Sequence, residues 1–266
     1  MRCSLWLVPS EREHDALSCL MNFRPRHHRS KTHSSRSYPR FDPHVTLATF
    51  ESSYKPKISL FLSPTTISVP VYFESMKVGN NYLSSLSIVV AKSRELMQLR
   101  DLVVEHLENN NMKDTSRSFP HMSLFYLDEK SKGDRQELGK QLERSERVRE
   151  RTGRRVIEAA LDCTLDGAEP EFDAMYGFEG SSIWLVDCTG GVEDWKVLEK
   201  QKLKSRRHDL RDVYLSRGEP FYSFSWPTNP VPVVTMPPSP RMGGRQPFLY
   251  GSNPLPMTPY YPPDPR

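Results

Sequence analysis

Apolar residues in this chain fall in short runs whose period changes along the sequence. Ser4 to Val8 (SLWLV) is an apolar run of strand length, closed by Pro9. Behind it the period lengthens: Ala16, Leu17, Leu20 and Met21 share one helical face, and Ser10 with Glu13 three residues on has the form of a capping box at the helix start. A further apolar run, from about His44 to Phe50, predicts a second strand. The same order then returns. Leu86 to Ala91 (LSIVVA) reads as a strand, Ser93 opens a helix with Leu96, Leu99, Val103 and Leu107 on one stripe, and Pro120 introduces a strand through Leu127. Two strand–helix–strand units predict an internal duplication about a pseudo-twofold axis.

Ser68 to Val78 alternates as a strand does, and Asn80-Asn81 predicts the turn of a hairpin into the strand that follows. Asp134 to Arg151 is dominated by Glu, Arg, Lys and Gln, a pattern that predicts a solvated helix with opposite charges paired at i,i+4. Its mixed signs favour that reading over contact with nucleic acid. Ser181 to Cys188 (SSIWLVDC) predicts a buried strand. Trp195, Val197 and Leu198 predict a helix that continues through Leu203 and Leu210.

Both repeated units end on nearly the same string, Pro43-His44-Val45-Thr46-Leu47 and Pro120-His121-Met122-Ser123-Leu124. In a strand, residues i and i+2 share a face, so each string aims one imidazole and one hydroxyl the same way and turns its apolar residues to the other side. Two more histidine–hydroxyl spacings occur, His28-Arg29-Ser30 and His33-Ser34-Ser35, but neither has apolar residues at the intervening positions. Facing each other, the two matched strings supply a general base, a general acid and two hydroxyls able to hold an oxyanion, which suits phosphate ester chemistry without a metal.

Composition narrows the alternatives. The net charge of +4 across 266 residues argues against a binder of duplex nucleic acid, although Arg24 to Arg40 holds six Arg or Lys, three His and no acid. That insert reads as a flexible solvated loop before the first motif, compatible with gathering phosphate. Cys3, Cys19, Cys163 and Cys188 have no CxxC or zinc-site spacing. There is no glycine-rich phosphate loop, dinucleotide fingerprint or carboxylate cluster for magnesium, so no cofactor and no metal are expected. No signal peptide or 18-residue apolar run is seen, which predicts an intracellular, cytoplasmic protein without a membrane span. Of the 23 prolines, 14 fall after Glu219. Proline supplies no backbone donor, so residues 221–266 are expected to form a disordered, passive tail after a domain of residues 1–220, with Phe221 to Trp226 the part best suited to pack on that domain.

The strings SLWLVP, FDPHVTL, SFPHMSLFY and IWLVDC followed by VEDWKVL resemble the two-histidine phosphoesterase superfamily, and within it the fungal type of 2′,3′-cyclic-nucleotide 3′-phosphodiesterase. The resemblance covers roughly residues 1 to 220. It implies an α+β, bilobal fold of two antiparallel sheets with outer helices around a central groove, one motif per lobe. It also implies metal-free hydrolysis of a small cyclic phosphate, including ADP-ribose 1″,2″-cyclic phosphate from tRNA splicing, by a monomer, with Golgi association. His44 and His121 are then catalytic, and Thr46 and Ser123 bind the non-bridging phosphate oxygens. Tyr126 falls on the opposite face of an ideal strand from Ser123; the resemblance favours a substrate contact there, which needs a twist or bulge. As a working assignment His121 is the base and His44 the acid, though the sequence is symmetric on this point. The alternatives are a 2′-5′ RNA ligase-like enzyme acting on RNA ends and a non-catalytic RNA-end adaptor.

Overall fold

The computed structural model describes residues 1–24, 37–116, 118–128, 132–152, 157–164 and 174–206. Most of the basic insert and the proline-rich segment, with Phe221 to Trp226, lie outside them.

Strand β1 (Arg2–Pro9) leads into helix α1 (Glu11–Met21), which returns the chain to strand β2 (Val45–Glu51). Strand β3 (Val69–Val78) and strand β4 (Leu86–Val90) form the expected hairpin. Helix α2 (Arg94–Asn109) then connects β4 to strand β5 (His121–Phe125). The helix starts follow the sequence: the Ser10 backbone N–H donates to the Glu13 carboxylate at 3.2 Å, and the Leu96 N–H donates to the Ser93 hydroxyl at 3.3 Å. Leu17, Leu20 and Met21 of α1 and Leu96, Leu99, Val103 and Leu107 of α2 are the buried stripes that hold these helices on the sheet.

Two expectations for the second half are corrected. The charged run is a helix only over α3 (Lys132–Arg144) and then becomes strand β6 (Val148–Thr152), paired with strand β7 (Ile157–Leu161). Nor is α3 fully solvated, because Leu138, Leu142 and the whole of Arg135 are buried. The Arg135 guanidinium donates to the Leu127 and Asp128 carbonyls, fixing the chain just beyond β5. The segment after Trp195 is strand β9 (Lys196–Lys202), not a helix. Its backbone groups pair along strand β8 (Gly177–Asp187) after the Gly190-Gly191 turn, and that partner overrides the local helical spacing. Gly190 has φ +93°, a conformation glycine reaches without steric cost.

The fold is α+β with antiparallel pairing throughout its main sheet, whose strand order is β1-β2-β5-β4-β3-β8-β9. An additional β1–β8 pairing closes the first six of these strands into a ring. Where two separate sheets were expected, hydrogen bonding runs on through one residue pair, Val45 with Met122. These are the residues immediately after the two motif histidines. Val45, Leu47, Met122 and Leu124 all enter the main core with Leu5, Leu7, Ile88, Ile183 and Leu185. Burying those positions leaves the alternate residues of the same strands to line the other face.

Candidate active site

On that face the strands present His44, Thr46, His121 and Ser123. Register brings Thr46 opposite Trp6 of β1, and Ser123 opposite Ser87 of β4. Just past the hydroxyl each motif strand carries one extra residue. Pairing steps from Trp6–Thr46 to Leu5–Ala48 in one case, and from Ser87–Ser123 to Leu86–Phe125 in the other. Both shifts fall at the motif leucine, Leu47 or Leu124. A bulge changes the phase of alternation, so the face turned away from the main core carries motif residues at i, i+2 and i+5. Tyr126 therefore returns to the side of Ser123, whose side chain acts to lower the pKa of the phenol. Its counterpart in β2 is Thr49, whose hydroxyl meets that of Ser4 at 2.7 Å.

The histidines are held alike. A backbone carbonyl can only accept, so the 2.6 Å contact of His44 Nδ1 with the Asp42 carbonyl places the proton on Nδ1. The 2.7 Å contact of His121 Nδ1 with the Ser118 carbonyl does the same. Each neutral ring is thus left with Nε2 as its proton acceptor. Their surroundings differ. His44 is 5% exposed and stacked on Trp6, with ring centroids 3.7 Å apart and planes 9° from parallel. Burial pushes its pKa from 6.5 down to about 4, against the hydrogen bond to Asp42, and positive charge on His121 acts in the same downward direction. His121 is half-buried; desolvation lowers its pKa too, opposed by the Ser118 carbonyl and assisted by the Lys77 ammonium. Burial holds the Tyr126 phenol well above its usual range.

Aromatic rings crowd this face. Tyr126 has Tyr82 and Trp195 as neighbours, with centroids 5.6 and 6.0 Å away, and Phe41 is 4.5 Å from it. Trp195 also meets Trp6 edge-on at 5.5 Å. Sequence reading missed Trp6, Trp195, Tyr82 and Lys77. In SLWLV every residue but the serine is apolar, so alternation could not tell Trp6 from its core neighbours. Lys77 and Tyr82 belong to the β3–β4 hairpin, whose pairing alone carries them to β5. Among the described residues no group of three or more His, Cys, Asp or Glu is placed to hold a metal ion, and no helix is long and apolar enough to cross a membrane.

Residues 1–203 match the family described as cyclic phosphodiesterase-like protein. The chain belongs to this family. No curated protein matches it. Solved structures that resemble it include a phosphoesterase at 13% identity (76% of this chain, 98% of that one, TM-score 0.42). E. coli LigT complexed with 3′-AMP follows at 14% identity (76% and 97%, TM-score 0.40). The protein TT0787 of Thermus thermophilus is also 14% identical (78% and 100%, TM-score 0.41).

Proposed function

We propose that this cyclic phosphodiesterase-like chain hydrolyses 2′,3′-cyclic nucleotides to nucleoside 2′-phosphates without a metal. The observation that carries the reading is the joining of the motif strands at Val45–Met122, which sets two Nδ1-protonated imidazoles and two hydroxyls on one face of one sheet. Four groups so arranged match an in-line displacement at phosphorus. One imidazole removes a proton from water as its oxygen attacks phosphorus. The other delivers a proton to the ribose 3′ oxygen as the P–O3′ bond breaks. Thr46 and Ser123 donate to the non-bridging oxygens, where negative charge builds, and Tyr126 steadies Ser123. The matching strand–helix–strand units and matching bulges support descent of the two halves from one duplicated lobe around a central groove.

The environments of the rings favour the reverse of the working assignment. His44, buried and held neutral, suits the base, and the more exposed His121 suits the acid. An arriving phosphate anion favours the imidazolium form and lets His121 take up its proton at neutral pH.

The test is product analysis on a panel of 2′,3′-cyclic nucleotides, ADP-ribose 1″,2″-cyclic phosphate and an RNA with a 2′,3′-cyclic end, with EDTA present. Formation of the 2′-phosphomonoester from the small substrates is expected. Turnover of the RNA end alone would favour RNA-end processing. No turnover of any, or activity abolished by EDTA and restored by a divalent metal, would overturn the proposal.

A further inference from the structure

His44 takes its orientation from a carbonyl in the segment of residues 39–43, where Phe41 packs against the core and on Tyr126. Pro39 and Pro43 lack N–H groups, so residues 39–43 have few donors with which to tie themselves down. At its start the segment is fixed by the Tyr38 N–H, which donates to the Tyr126 carbonyl at 2.8 Å; strand pairing begins only at Val45. Between it and the end of α1 lies an open pocket of about 260 Å³ lined by Ser18, Met21, Asn22 and residues 39–42, so on this side the segment is not closely packed against the helix. A side-chain hydrogen bond crosses to α1. His14 Nε2 stands 3.0 Å from Asp42 Oδ1, with the two side chains 22% and 42% exposed.

We propose that His14 and Asp42 are a positioning pair: their contact ties the Asp42 peptide to α1, and through the Asp42 carbonyl it fixes the tautomer and direction of His44. Neither residue touches the reacting atoms. The hydrogen bond to Asp42 raises the His14 pKa, and the same bond lowers that of Asp42, so each group favours the charged form of the other. Two other charged groups bear on it: Asp15, 3.5 Å from His14 Nδ1, and Lys200, whose Nζ lies 3.5 Å from the centre of the Trp184 ring and whose charge reaches Asp42. The two halves of the site differ here, because the carbonyl that holds His121 belongs to Ser118, whose side chain carries no charge.

His14→Ala is the sharpest variant, since it leaves Asp42, its charge and its carbonyl in place. Its kinetic arm rests on the proposed hydrolysis; its spectroscopic arm does not. In the full-length protein kcat on a 2′,3′-cyclic nucleotide should fall about tenfold at unchanged KM, because small misplacement of a catalytic group costs rate more than binding. Imidazole ¹⁵N NMR, recorded without substrate, should show a second form of neutral His44 with the proton on Nε2, while His121 is unaltered. His14→Gln retains a donor near the position of Nε2 and should restore both readouts. An unchanged His44 spectrum in His14→Ala, with or without a fall in kcat, would overturn the proposal. So would a His121 tautomer that shifts along with that of His44. Because the spectrum needs no turnover, it judges the pair even if the protein hydrolyses no cyclic phosphate.

Discussion

At the scale of the residue, one ring nitrogen decides what each histidine can do. A carbonyl on Nδ1 costs the imidazole one of its two positions and leaves Nε2 to exchange protons. Replacing either His44 or His121 by Ala should lower turnover of a 2′,3′-cyclic nucleotide by about two to four orders of magnitude. A substrate with sulfur in place of the 3′ bridging oxygen separates the roles, since a thiolate leaves without a proton. With His121 as the acid, His121→Ala should recover most of its loss on that substrate and His44→Ala should not. Recovery by His44→Ala instead would restore the opposite assignment.

At the scale of the element, the bulges at Leu47 and Leu124 determine which residues share the site. Regular alternation would turn Tyr126 away; one inserted residue in β5 returns it to Ser123. Tyr126→Phe removes that hydroxyl and should lower kcat up to about tenfold, the scale of one hydrogen bond that positions another group. A KM effect alone would mean that the phenol binds substrate instead. Strand β1 carries the other support, because it pairs with both β2 and β8 and places Trp6, 3% exposed, flat against His44. Trp6→Ala should cost about 3–5 kcal/mol in chemical denaturation. In an NMR titration it should also raise the His44 pKa toward the ordinary value, because water would then reach the ring.

For the whole molecule, the buried His44 links folding to pH. Its folded pKa lies near 4, below the 6.5 of an unconstrained histidine, so the unfolded chain binds more protons between those values. The stability from keeping it neutral is present above pH 6.5 and lost as pH falls toward 4, an effect on the order of 3 kcal/mol. His121 acts in the same direction, whereas His14, raised by Asp42, adds stability at low pH that is lost as pH rises through its folded pKa. Melting temperature should therefore drop between pH 6.5 and 4, and less so in a His44→Gln variant. A separate prediction concerns the proline-rich residues 221–266, which lie beyond the family match over residues 1–203. A chain ending at residue 220 should turn over a small cyclic nucleotide at the full-length rate; a large loss in kcat would place part of that segment in the working domain.

The strands and helices that build the site were legible because each is specified locally. SLWLV, LSIVVA and the motif strings have strand periods, and α1 and α2 have both an apolar stripe and a capping serine. Spacing within the motifs was enough to put His44 with Thr46, and His121 with Ser123, on common faces. The segment after Trp195 was misread because its residues suit either state; a hairpin partner supplied from β8 settled it. Strand β6 was hidden inside a charged run for the same reason. The tertiary structure alone decided what depends on register between distant strands: the bulges that recover Tyr126, the ring of Trp6 on His44, the reach of the Lys77 charge to His121, and the tie from His14 to Asp42. A sequence encodes the period of each strand, but a side chain's neighbours across a sheet are fixed by pairing and burial over the whole fold.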